Sequence, residues 1–353
     1  MTPLRSAVAA GVLALVAVLA AVIATTSAGT STGVASVLGQ QGKTGAAAVK
    51  PAPGYGPLPA LTAVSAWDNT APLTDASLRG KVVLVDFWTA SCINCRRTFG
   101  FLRDLQKTYA SRGLVILGVH SPEFDFEKSH TYVTDSIRRL NVTWPVAEDP
   151  QMKVWNAFGN SYWPANYLTD RAGNVRYEHV GEGDEQQIEG AIRTLLAEGG
   201  SAGSQVVGQV PASERPPAAG EQITPETYLG TERPSPPGTV TLDPAAHQSP
   251  RWATLPGGVA LTLRETARDV YALIGPESAG PVSVQVTLDG QPVPAALRGP
   301  DLTVDGQGRT LVRVTGQDLR HLLTGTAIGT HRLVLRPLPG GPALRIYTFT
   351  FGA

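Results

Sequence analysis

The chain has 353 residues, a length that exceeds one typical domain and predicts two. Its 29 basic and 29 acidic residues give a formal net charge of zero, and no run of basic residues is present. The charge pattern therefore gives no support for nucleic-acid binding. Glycine (38 residues) and proline (28 residues) exceed average usage, and the excess falls in stretches that we interpret as linkers.

The N-terminus contains an apolar segment. Arg5 precedes a stretch of 18 uncharged residues from Ala7 to Ala24. This length lies between a secretory signal and a spanning helix, and for residues 1–28 we favour an uncleaved anchor over a cleaved signal peptide. Arg5 lies on the short N-terminal side of this segment, which predicts that the remainder of the chain is extracytoplasmic. The protein would then lie on the cell membrane, or be secreted if the signal is cleaved. Residues 29–57 are expected to form a flexible tether.

Residues 58–200 show strand and helix patterns in turn, which predicts an α/β domain. Residues 58–78 are expected to form a short hairpin that turns at Asp68 and Asn69, and residues 82–85 a buried parallel strand. The other predicted elements are a helix that begins near Cys92, a strand at 113–119, helices at 126–140 and 149–158, an antiparallel hairpin that pairs 167–169 with 176–178, and a closing helix at 184–197.

The chain's only two cysteines, Cys92 and Cys95, lie two residues apart at the predicted start of a helix. Unpaired N–H groups and the helix dipole stabilise a thiolate there, and a second thiol can resolve a mixed disulfide formed at the first. A zinc site needs four ligands, yet there is no third cysteine and the nearest histidine is His120. A purely structural disulfide would close too small a loop to stabilise much. The pattern favours a redox-active disulfide, with no metal and no other cofactor.

These residues also carry a family resemblance. Val85-Asp86-Phe87-Trp88 followed by the Cys-x-x-Cys motif resembles the thioredoxin superfamily. The sequence from Thr89 to Arg97 is most similar to the TlpA/ResA group of bacterial cell-envelope thiol:disulfide oxidoreductases, especially the soluble part of DipZ-type proteins. The resemblance covers residues 58–200 and implies a thioredoxin-like fold.

The resemblance also implies roles for individual residues. Cys92 would be the attacking thiol and Cys95 the resolving thiol. Asp86 matches the family's buried acid, so we expect burial to raise its pKa and the carboxylate to accept the Cys95 proton; a strand-end acid satisfied by backbone N–H groups is the alternative. Pro164 matches the family's cis-proline, which lies against the cysteine motif and orients an extended substrate.

Further candidates surround this motif. Trp88, Tyr162 and Trp163 are predicted to line a substrate groove, although core packing is nearly as good an interpretation of the last two. His120 and Glu123 follow the second buried strand, at the sheet edge where α/β sites tend to lie, and are candidates for tuning the cysteines. A hydrogen-bonded loop pair is an equally good interpretation of them.

The pattern changes after a linker at residues 201–222. Residues 223–353 contain short alternating strands without helices, which predicts a jelly-roll-like β-sandwich. The predicted strands are 259–264, 270–274, 282–288, 311–314, 332–336 and 344–351. Residues 223–230 and 347–352 resemble the second domain of soluble DipZ, likened to carbohydrate-binding modules. Candidate sugar-binding aromatics are few, namely Trp252, Tyr271 and Tyr347, so a structural or partner-docking role is favoured over glycan binding.

Together these features predict an extracytoplasmic enzyme that exchanges disulfides with exported, cysteine-containing proteins. A reductase would need electrons from a membrane thiol reductant of the CcdA type, for cytochrome c maturation or disulfide repair. One alternative is a peroxiredoxin-like thiol peroxidase, because Thr89 precedes Cys92 by three residues, although Val85 stands where the peroxiredoxin proline would be. The other is a non-catalytic protein that binds the envelope or a glycan.

Overall fold

The computed structural model describes residues 56–198, 222–327 and 329–352. The expected N-terminal anchor or signal lies outside these ranges, as do most of the tether and of the interdomain linker. Within the described ranges, none of the helices combines the length and the apolar character that a membrane crossing requires. The first range folds into an α/β domain, and the remaining residues fold into an all-β domain.

The α/β domain is built on one six-stranded sheet. Its strands are β1 (Ala66–Asp68), β2 (Val82–Trp88), β3 (Leu114–His120), β4 (Val146–Glu148), β5 (Ala165–Thr169) and β6 (Val175–Val180). Its helices are α1 (Asp75–Leu78), α2 (Ile93–Tyr109), α3 (His130–Arg139), α4 (Lys153–Ala157) and α5 (Glu185–Glu198). The spatial order is β1-β4-β3-β2-β5-β6, with β2, β3 and β4 parallel and the other pairs antiparallel. All seven residues of β2 are buried, which explains the unbroken apolar run at its start.

The predicted hairpin at residues 58–78 is wrong. β1 pairs with β4, so that Trp67 lies opposite Ala147, and residues 75–78 form α1. A polar turn at Asn69, where φ is +61°, imitates a hairpin turn locally. The partner strand lies about eighty residues further along the chain, a distance that no local turn pattern reveals. The hairpin of β5 and β6 is confirmed, with Leu168 opposite Tyr177.

Helix α2 begins where the cysteine motif predicts. Cys92 is its N-cap, and the apolar residues of the helix face one side, where Phe99, Leu102 and Leu105 are buried in the core. The helix ends in a short 3-10 turn, and Gly113 follows with φ of +101°, a left-handed conformation that only glycine adopts readily. The chain then enters β3 directly beside β2.

The all-β domain consists of two antiparallel sheets. Its strands are β7 (Thr227–Tyr228), β8 (Val240–Leu242), β9 (His247–Gln248), β10 (Ala253–Leu255), β11 (Leu261–Thr266), β12 (Asp269–Pro276), β13 (Val282–Leu288), β14 (Gln291–Pro292), β15 (Leu302–Val304), β16 (Thr310–Val314), β17 (Asp318–Leu323), β18 (Thr330–Pro337) and β19 (Leu344–Gly352). One sheet has the order β17-β12-β19-β10-β9 with β7 beside β19, and the other has the order β15-β16-β13-β18-β11-β8 with β14 beside β13. Apolar side chains from both sheets share one core, as in a sandwich.

Each of the six predicted strands overlaps an observed strand. Most of those missed have only two or three residues, too few to show an alternating pattern. The exception is β17, which has six. Its Leu322 enters the sandwich core, whereas its Leu319 contacts the α/β domain, and burial on two sides removes the alternation. The jelly-roll connectivity stays a prediction.

In strand β19, one aromatic residue lies on a different face from the one that the sequence predicts. Tyr347, Phe349 and Phe351 alternate, and the sequence favours placing all three on a core face. Phe349 and Phe351 do lie in the sandwich core, but Tyr347 belongs to a separate cluster with Phe124 of the α/β domain. The register between β12 and β19 shifts beside Tyr347, so a β-bulge turns this side chain to the opposite face.

The two domains are joined by an apolar cluster and by charged contacts. The buried members of the cluster are Phe124, Leu273, Leu319 and Tyr347, from both domains. Beside them, Arg96 on α2 donates from Nη2 to Asp318 Oδ1 on β17 at 2.8 Å. The sandwich is therefore packed against the helix that carries the cysteine motif.

Candidate active site

The two cysteines differ in exposure. Cys92 is partly exposed at the N-cap of α2, whereas Cys95, one turn into the helix, is completely buried. The Cys95 amide donates a hydrogen bond to Cys92 Sγ at 3.3 Å, so the first turn of the helix already stabilises negative charge on that sulfur. Burial raises the pKa of Cys95 well above its ordinary value, and the neighbouring Cys92 acts in the same direction. The outer thiol is therefore the one that a substrate can reach.

Asp86 lies beneath this motif on the central strand β2. Its side chain is fully buried, and neither carboxylate oxygen has a hydrogen-bond partner among the described residues. Burial raises the pKa of Asp86 to about 7, the direction that the sequence predicts. Because Asp86 is also among the groups that raise the pKa of Cys95, the two side chains are electrostatically linked.

A buried glutamate that the sequence analysis did not identify holds the loop before Cys92. Glu127 Oε1 accepts the Ser91 amide at 3.0 Å, and Oε2 accepts the amides of Glu123 and Phe124 at 3.0 Å each. Three N–H donors thus satisfy one buried carboxylate and connect the residues before α2 to the loop after β3. Its capping position in a short 3-10 turn, Asp125–Lys128, leaves no distinctive sequence signal.

The loop that ends at Pro164 lies beside the cysteines. The Trp163–Pro164 peptide bond is cis, as the resemblance implies. Tyr162 is 61% exposed and Trp163 is half-buried, with Trp163 Nε1 donating to the Ser121 carbonyl at 3.0 Å. Both Tyr162 and Trp163 line a cavity that also contains Cys92, so they occupy the position predicted for a groove wall.

Two other predicted site residues lie away from this cavity. Trp88 is completely buried and makes an edge-to-face contact with Phe99 at 5.3 Å, so the prediction that it lines the groove is wrong. An aromatic ring at the end of a strand can either line a groove or lie in the core, and here helix α2 covers the ring of Trp88. His120 is buried against the same Trp88 ring, and burial lowers its pKa to about 4. It does not line the cavity.

Glu123, in contrast, does line the cavity, and its partners come from the sandwich. Its Oε1 accepts hydrogen bonds from Tyr228 Oη at 2.8 Å and from Arg233 Nη1 at 2.7 Å. Burial raises the pKa of Glu123 above its ordinary value, although the Arg233 charge opposes the shift. The Arg233 guanidinium also lies 4.3 Å from the centre of the Tyr228 ring. Contacts across more than 100 residues of sequence therefore fix this side chain.

The cavity has a volume of about 230 Å³ and is shared by both domains. On the α/β side, its lining residues are Cys92, Ile93, Asn94, Glu123, Ser161, Tyr162 and Trp163. On the sandwich side, they are Glu226, Tyr228, Arg233 and Thr350. None of these four sandwich residues was identified as functional from the sequence. Tyr228 and Glu226 lie in the 223–230 segment that resembles DipZ-type proteins, the one signal that pointed to them.

One group of side chains outside this cavity has the chemistry of a metal site. Ligand atoms of Asp68, His130 and Glu148 lie within 4.8 Å of one another, and His130 Nδ1 is 2.5 Å from Glu148 Oε1. These three residues are far apart in the sequence and form no recognisable metal-binding motif there. His130 is exposed, and its hydrogen bond to Glu148 raises its pKa. The ion pair by itself accounts for the close approach of this histidine and carboxylate.

The aromatic residues considered for sugar binding form no exposed platform. Tyr347 is buried at the domain interface, and Trp252 packs against it with ring centres 5.8 Å apart. Tyr271 stacks on His321 at 4.2 Å and lies below the Arg97 guanidinium. These three residues contribute to the contact between the domains.

Two parts of the chain match known protein families. Residues 56–178 match the AhpC/TSA family, and residues 247–352 match the family described as "Thioredoxin like C-terminal domain". Protein DipZ of Mycobacterium tuberculosis is 32% identical over 326 residues, covering 84% of this chain and 43% of DipZ. The chain thus spans less than half the length of that relative.

Two further similarities cover the α/β domain. Thiol-disulfide oxidoreductase YkuV of Bacillus subtilis is 26% identical over 142 residues, covering 40% of this chain and 95% of YkuV. The crystal structure of a thiol-disulfide isomerase from Corynebacterium glutamicum aligns with 40% of this chain and 97% of its own, at 25% identity and a TM-score of 0.35. In its cysteine motif, its α/β fold and its sequence along most of its length, the chain is similar to DipZ and to thioredoxin-like thiol-disulfide oxidoreductases.

Proposed function

We propose that this protein exchanges disulfides with exported, cysteine-containing polypeptides through Cys92 and Cys95, in the reducing direction. The observation that carries the proposal is the position of Cys92. Cys92 Sγ accepts a hydrogen bond from the Cys95 amide at the start of α2, and Cys92 lines a cavity. The second thiol, Cys95, is buried one turn further into the helix. A reactive outer thiol with a protected inner thiol is the arrangement that two-step exchange requires.

The reaction has two displacement steps. The Cys92 thiolate attacks one sulfur of a substrate disulfide, forms a mixed disulfide, and releases the other substrate sulfur as a thiolate that takes up a proton. Cys95 then loses its proton and attacks Cys92 Sγ, which releases the second substrate thiol. The substrate gains two electrons and two protons, and the enzyme is left with the Cys92–Cys95 disulfide.

Asp86 is proposed as the acceptor of the Cys95 proton. A buried thiol is a poor nucleophile until it is deprotonated, and a carboxyl with a pKa of about 7 can take up and release a proton near neutral pH. The loop before the cis-Pro164 bond is proposed to place the substrate backbone against Cys92, with Tyr162 and Trp163 as its apolar wall.

The reducing direction requires a thiol donor that resets the disulfide after each cycle. We propose a membrane thiol reductant of the CcdA type, with apocytochrome c or wrongly paired exported proteins as clients. This assignment rests on the apolar segment from Ala7 to Ala24, which we propose anchors the protein at the extracytoplasmic face of the membrane.

The proposal is tested by trapping the mixed disulfide. In Cys95→Ser the first step proceeds but the second cannot, so a disulfide-bonded model substrate should accumulate as a covalent adduct on Cys92. Cys92→Ser should form no adduct and should lose exchange activity. Exchange that survives Cys92→Ser would contradict the proposal and favour a non-catalytic role for the α/β domain.

A second candidate is thiol peroxidase activity, favoured by the match to the AhpC/TSA family and by Thr89, which is buried three residues before Cys92. A peroxidase would oxidise Cys92 to a sulfenic acid, with release of water, and Cys95 would condense with it. Consumption of hydrogen peroxide in the presence of dithiothreitol, lost in Cys92→Ser, would support this reaction. Consumption no faster than in the variant would eliminate it.

A further inference from the structure

The wall of the cavity opposite the cysteine motif belongs to the sandwich. Glu226, Tyr228, Arg233 and Thr350 line the same space as Cys92, within a volume of about 230 Å³. A polypeptide that presents a sulfur atom to Cys92 therefore places its adjacent side chains against the sandwich. This domain is in a position to select substrates.

The charges along this wall are not balanced. Arg233 is the one Lys or Arg residue among the lining residues, and it is already engaged by Glu123 at 2.7 Å. Glu226 has no ion pair with a lysine or arginine among the described residues. The cavity therefore carries net negative charge when Glu226 is ionised, since Arg233 offsets only one of its two carboxylates.

The surroundings of Glu226 disfavour its negative charge. Burial and the Glu123 charge raise its pKa to about 7, although the Arg233 charge and hydrogen bonds with Tyr228 and Thr348 oppose the shift. A carboxylate held beside a second carboxylate is stabilised when a cation approaches it, because the cation offsets both the repulsion and the lost hydration. The wall is thus complementary to a positively charged side chain.

We propose that Glu226 makes this enzyme prefer polypeptide substrates with a lysine or arginine two or three residues from the reacting cysteine. The inference rests on the proposed function, because it concerns the substrate of the same exchange reaction. Residues of an extended chain advance by about 3.3 Å each, so only side chains close to the cysteine reach a cavity of this size. Substrates with acidic neighbours at the same position are repelled.

The test uses two peptides that carry a thionitrobenzoate mixed disulfide on one cysteine and differ only in a lysine or a glutamate two residues away. The reduced full-length protein is mixed with each peptide at low ionic strength, and the release of thionitrobenzoate gives a second-order rate constant. We expect the lysine peptide to react roughly ten times faster than the glutamate peptide. Glu226→Gln should reduce this ratio to about two, and 0.5 M salt should lower it in the unmodified protein.

Glu232→Gln is the matched control, because Glu232 is an exposed carboxylate in the same segment that does not line the cavity. It should keep the full preference. Equal rates for the two peptides, a preference for glutamate, or a lysine preference that is undiminished in Glu226→Gln would overturn the inference while the exchange function stands. No release from either peptide would instead contradict the proposed function itself.

Discussion

Asp86 is a fully buried carboxyl whose pKa is raised to about 7. It occupies the middle of an apolar strand, buried and without hydrogen-bond partners among the described residues. Such a carboxyl destabilises the fold when it ionises, since its charge loses hydration without receiving a compensating contact. An acid at this position is consistent with the proposed proton transfer from Cys95.

We predict that Asp86→Asn stabilises the reduced protein in a pH-dependent way. The pKa of Asp86 in the folded protein, about 7, lies above its unfolded value near 3.8, so the folded state binds the proton more tightly. This carboxyl therefore lowers the free energy of unfolding progressively as the pH rises from about 4 to above 7, by up to roughly 4 kcal/mol. Denaturant unfolding under reducing conditions at pH 5 and pH 8 should show an advantage of Asp86→Asn that grows with pH.

The matched control is Asp104→Asn, an exposed carboxyl on α2. Its free energy of unfolding should follow that of the unmodified protein across the range. An Asp86→Asn advantage that is the same at both pH values would show that Asp86 does not carry the buried proton. Disulfide exchange by Asp86→Asn should also slow by at least about tenfold at pH 7, because the resolving thiol loses its proton acceptor.

At the level of elements, the 3-10 turn Asp125–Lys128 positions the cysteine helix although it contributes no residue to the cavity. Its Glu127 accepts backbone N–H groups on both of its oxygens. We predict that Glu127→Gln lowers the free energy of unfolding by about 2–3 kcal/mol, because one amide N–H₂ group must face a backbone donor in either orientation. Alkylation of Cys92 should accelerate as the loop before it loosens.

Asp125→Asn is the comparison for this turn, since Asp125 is exposed and pairs with Lys128 at the surface. This substitution should change the free energy of unfolding by less than about 1 kcal/mol. If Glu127→Gln unfolds at the same denaturant concentration as the unmodified protein, the three hydrogen bonds do not hold the loop.

The elements that the sequence predicts correctly are those whose signal is local. The apolar run of β2, the start of a helix near Cys92 and the β5–β6 hairpin each depend on residues within one short stretch. The pairing of β1 with β4 depends on distant residues and was missed. The position of Trp88 was also missed, because burial under α2 is decided by the packing of two elements rather than by the strand that carries the side chain.

At the level of the whole molecule, the sandwich forms part of the cavity that contains Cys92. Sequence patterns suggested a second domain but not its attachment, since the contacts join residues far apart in the chain: Glu123 with Tyr228 and Arg233, and Arg96 with Asp318. From the sequence alone, Arg96 could be a solvated surface charge beside the cysteines. Instead it binds the sandwich, with its guanidinium mostly buried.

The attachment is tested with Tyr347→Ala. The Tyr347 ring contacts Phe124 and Phe126 of the α/β domain with centre distances of 5.2 Å each, so its loss should cost about 3–5 kcal/mol and loosen the interface. Hydrogen exchange should accelerate both in β19 and at the start of α2. The control Val304→Ala removes an exposed side chain of the sandwich and should change neither. Acceleration in β19 alone would show that the two domains are independent.

The central claim, that Cys92 and Cys95 form one reversible redox couple, is tested by redox titration of the full-length protein. The protein is equilibrated in dithiothreitol or glutathione buffers of defined potential, and free thiols are trapped by alkylation and counted by mass spectrometry. We predict that both thiols disappear together in one two-electron transition near the thioredoxin value of about −270 mV, as a reductase requires. A transition near about −120 mV would reverse the proposed direction of electron flow, and two thiols that titrate separately, or never form a disulfide with each other, would contradict the account.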